Sequence, residues 1–330
     1  MKKILILLFV SLLIVSNSNA ESFSSALSKA FKNNSELNAE RENINVSEQE
    51  LKISQGNYLP TLTLSGSKSQ EDTNKLTNQS GSNATINDVN PTTKSISISQ
   101  TLIDFGRGAE LSKSKIGLEL AKAKLLKKEQ DILYKTTEAY TGLVLANEKL
   151  DINKDNVELL NRQVETDQIR VERGLITLSD ASQSESSLAG AQANLIQAEN
   201  ELLTSKLNYE NIIGTLNDPK TLDKNSIIEY PLPENLNSAI ELSKKNNPDL
   251  IIAQLEYEQA KKDKSIAKSD LAPTANLSLE RSYTDDLSAT YDEREKDTLK
   301  ATVTWPFYSG GKNLAALNKS SSLETKSRLI

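Results

Sequence analysis

The chain has 330 residues, a net charge of −6 and 37% hydrophobic residues, with neither cysteine nor histidine. Disulfides, thiolate nucleophiles, imidazole bases and the usual zinc sites are therefore excluded, and the acidic balance argues against a nucleic-acid partner. An apolar content this low suits an elongated protein with much solvated surface rather than a compact globule.

The N-terminus reads as an export signal over 1–20. Lys2 and Lys3 form the basic start, Ile4 to Val15 the apolar run, and Ser18-Asn19-Ala20 a small-residue cleavage site. The apolar run is too short to cross a bilayer as a helix. Position 21 is glutamate, not cysteine, so a lipoprotein-type acyl anchor is excluded.

A helical segment follows over 21–58, and its landmarks return later in the chain. Ser25-Ala26-Leu27, Asn33-Asn34-Ser35-Glu36-Leu37 and Leu59-Pro60 correspond to Ser238-Ala239-Ile240, Asn246-Asn247-Pro248-Asp249-Leu250 and Ala272-Pro273. The pairs Ser25/Ser238, Asn33/Asn246 and Pro60/Pro273 share one offset, which indicates an internal duplication.

Each proline opens a stretch of period two. In the first copy Leu62 and Leu64, then Ile96, Ile98 and Leu102, alternate with serine and threonine. In the second, Ala275, Leu277 and Leu279, then Leu299, Ala301, Val303 and Trp305, alternate with Asn, Ser, Thr and Lys. Such strands have one apolar and one polar face, as in outer-membrane barrels, although soluble half-buried hairpins share the pattern. Polar loops are expected at about 70–94 and 285–297. The charged run Asp292-Glu293-Arg294-Glu295-Lys296-Asp297 reads as a solvated loop tip without chemistry. Both hairpins end in glycine-bearing corners, Asp104-Phe105-Gly106-Arg107 and Ser309-Gly310-Gly311-Lys312, where glycine permits a sharp strand-to-helix turn. Trp305, Phe307 and Tyr308 are candidates for a membrane interface, with a buried aromatic cluster as the alternative.

From Gly106 to Tyr209 the code is helical. Leu111, Leu118, Leu125, Ile132, Ala139 and Ala146 recur every seven residues. A second comb, Leu143, Leu150, Val157, Val164 and Val171, is displaced by four, which predicts a stutter. After a break at 174–180 the comb resumes as Ala181, Leu188, Leu195, Leu202 and Tyr209. No proline lies between Pro91 and Pro219, so nothing forces a kink, and the first helix would run roughly 100 Å. At the break, Gly174 suits a helix stop and Ser179 or Asp180 a helix cap. Capping leaves Leu175, Ile176 and Leu178 unexplained, and exposed apolar tips call for a partner. Four strands fall short of the minimum of about eight for a transmembrane barrel, so if these hairpins sit in a membrane, several chains must share one barrel.

Through Lys312 the chain resembles the outer-membrane efflux protein (TolC) family. The motifs are Asn-Asn-Ser-Glu-Leu and Asn-Asn-Pro-Asp-Leu, Tyr-Leu-Pro-Thr-Leu, Leu-Ile-Asp-Phe-Gly-Arg, Phe-Tyr-Ser-Gly-Gly-Lys and the break from Arg173 to Asp180. The resemblance implies a homotrimer in outer-membrane lipid, with a twelve-stranded barrel and a long α-helical tunnel. It implies docking of Gly174, Leu175, Ile176, Thr177, Leu178, Ser179 and Asp180 on a periplasmic adaptor (membrane fusion) protein, with an inner-membrane pump or ABC transporter of type I secretion beyond it. The expected fold is mostly α with β: a long antiparallel coiled-coil hairpin plus two amphipathic β-hairpins giving four barrel strands. The expected segments are 21–58 for the first proximal helix, 59–104 for the first β-hairpin and 105–217 for the long hairpin. A linker and the second proximal helix at 218–272, the second β-hairpin at 273–308 and the start of a truncated second hairpin at 309–330 complete the chain. The family carries gate carboxylates on a second long helical pair; only Asn313 to Ile330 follows here, so no gate residue is assigned. No enzyme activity or cofactor is expected, and the rival reading is an exported structural coiled-coil or adhesin protein.

Overall fold

The computed structural model describes residues 21–72, 75, 77, 80–82, 88–216, 218–224, 232–288 and 291–330. The expected signal at 1–20 and parts of both polar loops lie outside the described residues. The elements are α1 (Phe23–Asn33), α2 (Ser35–Gly56), β1 (Thr61–Lys68), β2 (Thr92–Ile103), α3 (Arg107–Glu172) and α4 (Leu178–Ile212). After a 3₁₀ turn at Pro219–Thr221 come α5 (Leu236–Asn246), α6 (Pro248–Ser269), β3 (Thr274–Asp285), β4 (Glu293–Thr304) and α7 (Lys312–Leu329).

The duplication is visible as geometry. α1 and α5 each have 11 residues, and α2 and α6 each have 22. The repeated Asn-Asn motif is the break between them. Asn34 leaves the helix at φ −62, ψ 124, and its side-chain oxygen accepts from the Leu37 amide at 3.1 Å. Asn247 does the same at φ −73, ψ 115, accepting from Asp249 at 2.9 Å, with Pro248 in the first turn where its missing N–H costs nothing. The single helix expected over 21–58 is thus two, because an asparagine cap satisfies amides that a continuous helix would have paired itself.

Contacts divide the chain into two compact units, Met1–Arg41 with Leu125–Glu241, and Glu42–Lys124 with Leu242–Ile330. In the first, Ala26, Ala30 and Leu37 are buried against Ile132, Tyr140, Leu143 and Tyr209. Tyr140 meets Phe23 edge-on at 5.2 Å, and its hydroxyl lies 3.0 Å from the carbonyls of both Glu21 and Asp223, so one proton serves both. That contact holds the short parallel bridge between Glu21 and Leu222. Burial, then the Glu21 carboxylate, push the Tyr209 hydroxyl well above the usual phenol range.

The seam of α3 and α4 corrects the sequence reading. Among the less exposed positions of α3, the series Ile132, Thr136, Ala139, Leu143, Ala146, Leu150, Asn153, Val157, Leu160, Val164, Asp167 and Val171 runs in unbroken steps of four and three. In α4 the matching series is Ala181, Ser184, Leu188, Ala191, Leu195, Ala198, Leu202, Ser205 and Tyr209. The two combs are the a and d rows of one heptad seam, and there is no stutter. Each comb seemed to stop only because Thr136, Asn153 and Asp167 carry the seam through polar residues.

In the second unit the two β-hairpins form one antiparallel sheet in the order β1-β2-β3-β4. The central pairing joins the two copies, for example Ile98 with Leu279 and Ser99 with Ser278, with a bulge between Thr101 and Ile103. β4 begins at Glu293 and β3 runs to Asp285, so the charged run from Glu293 to Asp297 is strand rather than loop. Its residues continue the ladder with β3, and Arg281 faces Glu295 and Asp297 at 3.5 and 3.6 Å. Exposed ion pairs, Lys113 with Asp263 at 2.6 Å and Lys264 with Glu324 at 2.7 Å, lie among α3, α6 and α7; each contributes up to about 1 kcal/mol.

The two corners differ. Gly310 and Gly311 take left-handed backbone, φ 63 and φ 79. Gly106 is not among the positive-φ glycines. It is required instead by close approach, since a Cβ there would run into the Ser269 side chain. Asp104 closes that corner by accepting from the amides of Gly106 at 2.8 Å and Arg107 at 3.3 Å.

Candidate functional site

Two surfaces carry the residues singled out in the sequence. The first is the hairpin tip. Gly174 adopts φ 69, its amide donates to Val171 at 2.9 Å, and the Leu175 amide donates to Arg170 at 2.8 Å. These paired bonds close the end of α3 as a Schellman motif, which needs a residue free of the Cβ penalty. The cap of α4 is Thr177, neither Ser179 nor Asp180. Its hydroxyl accepts from the Asp180 amide at 3.3 Å, and Asp180 accepts from the Thr177 amide at 3.0 Å and hydroxyl at 2.7 Å. Asp180 therefore closes a capping box, and the Thr177 bonds hold its carboxyl below the usual range.

With the backbone satisfied on both sides, the tip presents its apolar side chains. Leu175 is 67% and Leu178 74% exposed, whereas Ile176 is half-buried. Below them the helices are joined by a polar contact that sequence reasoning missed. Asp167, buried in the seam, accepts from Gln163 on its own helix and from Ser184 of α4, both at 2.7 Å. These two bonds, Ser184 first, lower its pKa. Asp167 and Ser184 sit at facing heptad positions, a signal that an apolar search passes over.

The second surface is the sheet. On one face Leu62, Leu64, Ile96, Ile98, Leu279, Leu299 and Val303 lie in register, all exposed, from 41% for Ile96 to 76% for Leu64. On the other face hydroxyls pair across strands: Thr61 with Ser99 at 2.6 Å, Ser65 with Ser95 at 2.7 Å and Thr93 with Thr284 at 3.1 Å. Among the described residues β1 and β4 are edges, each paired on one side only. At the end of β4, Trp305 donates to the Leu271 carbonyl at 3.1 Å and meets Phe307 edge-on at 5.7 Å. Trp305, Phe307 and Tyr308 are 59%, 84% and 84% exposed, so they form no buried cluster. Leu59, Leu102 and Phe105 are likewise exposed at the corresponding end of the first hairpin. The duplication could have found Phe105, because it follows the first hairpin as Phe307 and Tyr308 follow the second.

An open-edged amphipathic sheet of two duplicated hairpins, on a chain with a heptad-seamed helical hairpin, is the TolC-type fold. The model of the outer membrane efflux protein family matches residues 26–215, more than half of the chain, and the chain belongs to that family. It is 24% identical over 304 residues to the outer membrane efflux protein BepC of Brucella suis, covering 91% of this chain and 64% of that one. It is 23% identical over 237 residues to the alkaline protease secretion protein AprF of Pseudomonas aeruginosa, covering 70% and 49%. Among solved structures, the CmeC outer membrane channel of Campylobacter jejuni superposes with a TM-score of 0.78 at 16% identity, covering 93% of this chain and 66% of that chain. The chain thus spans about half to two thirds of the length of the curated relatives it matches. Family membership assigns it to the outer membrane, and its named relatives are efflux and secretion proteins rather than enzymes.

Proposed function

We propose that this chain is a subunit of an outer-membrane channel, a passive conduit in a tripartite efflux or type I secretion system. One observation carries the reading: a four-stranded sheet exposing an apolar face on one side, a hydroxyl face on the other, and two free edges. A lipid-exposed sheet cannot leave its edges unpaired, and four strands are too few to close alone. Three copies closing twelve strands satisfy both requirements, with leucines and isoleucines toward lipid and hydroxyls toward water. The hairpins at 59–104 and 273–308 then form the barrel, and the helical hairpin at 105–217 stands in the periplasm. Trp305, Phe307 and Tyr308 lie at the membrane boundary, where amphipathic rings are favoured. Leu175 and Leu178, with Gly174, Ile176, Thr177, Ser179 and Asp180 as their frame, dock on a periplasmic adaptor, and an inner-membrane pump or ABC transporter lies beyond it.

The test is solute flux. The assembled protein, reconstituted in liposomes, should admit a small neutral sugar and cause swelling, and its migration in detergent gels should change on heating. Folded, heat-modifiable protein that leaves liposomes impermeable would refute the channel reading.

A further inference from the structure

The charges of β4 are sorted by face. Glu293, Glu295 and Asp297 alternate with Arg294 and Lys296, and Lys300 follows on the basic side. Register places Arg294 against Thr284, Lys296 against Ser282 and Lys300 against Ser278, on the hydroxyl face. That face holds one carboxylate among the strand residues, Glu280, against three cations, a surplus of two per chain. The acidic residues of β4 lie on the apolar face, where Arg281 bridges Glu295 at 3.5 Å and Asp297 at 3.6 Å. Among the described residues no ion pair neutralises Arg294, Lys296 or Lys300. Arg281 thus offsets two of the β4 carboxylates on the apolar face, while the hydroxyl face displays a cationic stripe with no ion pair among the described residues.

Lys300 says where the water is. Its neighbours on the opposite face, Leu299 and Ala301, pair with Leu279 and Leu277, so it stands level with the apolar band. A lysine on the lipid side at that depth would cost about 2–4 kcal/mol, whereas on the lumen side it is hydrated. Resting on the channel reading above, we propose that Arg294, Lys296 and Lys300 form a selectivity stripe inside the barrel that favours anionic solutes. Three copies repeat the stripe around one wall, and like charges lining a confined aqueous path raise the local concentration of counter-ions. A potential of about 1 kT enriches anions and depletes cations by about e each, so the anion-to-cation ratio changes roughly sevenfold.

The test is the reversal potential of the assembled protein in planar bilayers under a dilute potassium chloride gradient, where screening is weakest. K296E/K300E should lower the chloride-to-potassium permeability ratio by roughly fivefold or more, and K296Q/K300Q by less, in the same direction. E295Q/D297N, on the lipid side, should leave the ratio unchanged. Conducting channels whose ratio is the same in wild type and both lysine variants would overturn the inference and leave the channel reading standing. Folded protein that conducts nothing would overturn both.

Discussion

Thr177→Ala tests whether the tip is held by its capping box. The substitution removes the hydroxyl that accepts from the Asp180 amide at 3.3 Å and donates to the Asp180 carboxylate at 2.7 Å, while Leu175 and Leu178 stay in place. Loss of such a cap costs about 1 kcal/mol, within a range of about 0.5–2. At that cost the first-turn amides of α4 should exchange with solvent about fivefold faster, since about 1.4 kcal/mol is tenfold. Thr177→Ser keeps the oxygen and should restore protection. A pH arm sharpens the test. The Asp180 carboxyl is held below its ordinary value by the Thr177 bonds, so the stabilisation is full above the ordinary carboxylate range and is lost as pH falls through the lowered folded value. Wild type should therefore keep its tip protection to more acidic pH than Thr177→Ala. Hydrogen exchange followed by mass spectrometry on 175–184 reads both arms. Equal exchange in wild type and Thr177→Ala, or a Thr177→Ser variant as loose as alanine, would refute the reasoning.

Leu175→Asp with Leu178→Asp should abolish export in a complementation assay while the assembled protein migrates normally, because both side chains are already solvated and only a docking contact is lost; unchanged export by the double variant would exclude docking through these leucines. Tyr140→Phe should destabilise the first unit by about 1 kcal/mol in urea unfolding, since the hydroxyl bonding the Glu21 and Asp223 carbonyls is lost while the contact with Phe23 stays. A midpoint identical to wild type would mean that those carbonyls are satisfied without it.

Periodicity made most of the architecture legible. Period two located the strands, period seven the long hairpin, and the shared offset of Pro60 and Pro273 the duplication. Errors arose where polar residues perform structural work. Asn34 reads as an ordinary helix residue until its side chain is seen to cap α2. Thr136, Asn153 and Asp167 hid the continuity of the seam because an apolar comb skips them. The run from Glu293 to Asp297 looked like a loop because charge is usual in loops, yet its strict alternation of sign is itself a period-two signal. At the tip Gly174 was legible from conformation alone. Thr177 was not, because Ser179 and Asp180 are equally good cap residues and only the backbone path decides among them.

The shared barrel is the central claim, and the duplication specifies its seam. Thr61 pairs with Ser99 in the first hairpin and Thr274 with Thr304 in the second, so Ser99 and Thr304 are equivalent, as are Thr61 and Thr274. Within one chain Ser99 pairs with Ser278, whose equivalent in the first copy is Ser65. If neighbouring copies repeat that register, Thr304 of one chain faces Ser65 of the next, at a Cα spacing of about 4.5–5.5 Å that suits a disulfide. The chain has no cysteine of its own, so S65C/T304C adds the only thiols. Oxidation of the membrane-inserted double variant should give covalent dimers and trimers and nothing larger, while S65C/T298C, out of register, should stay monomeric. Monomers alone from S65C/T304C, in protein that is folded and membrane-inserted, would contradict the shared barrel.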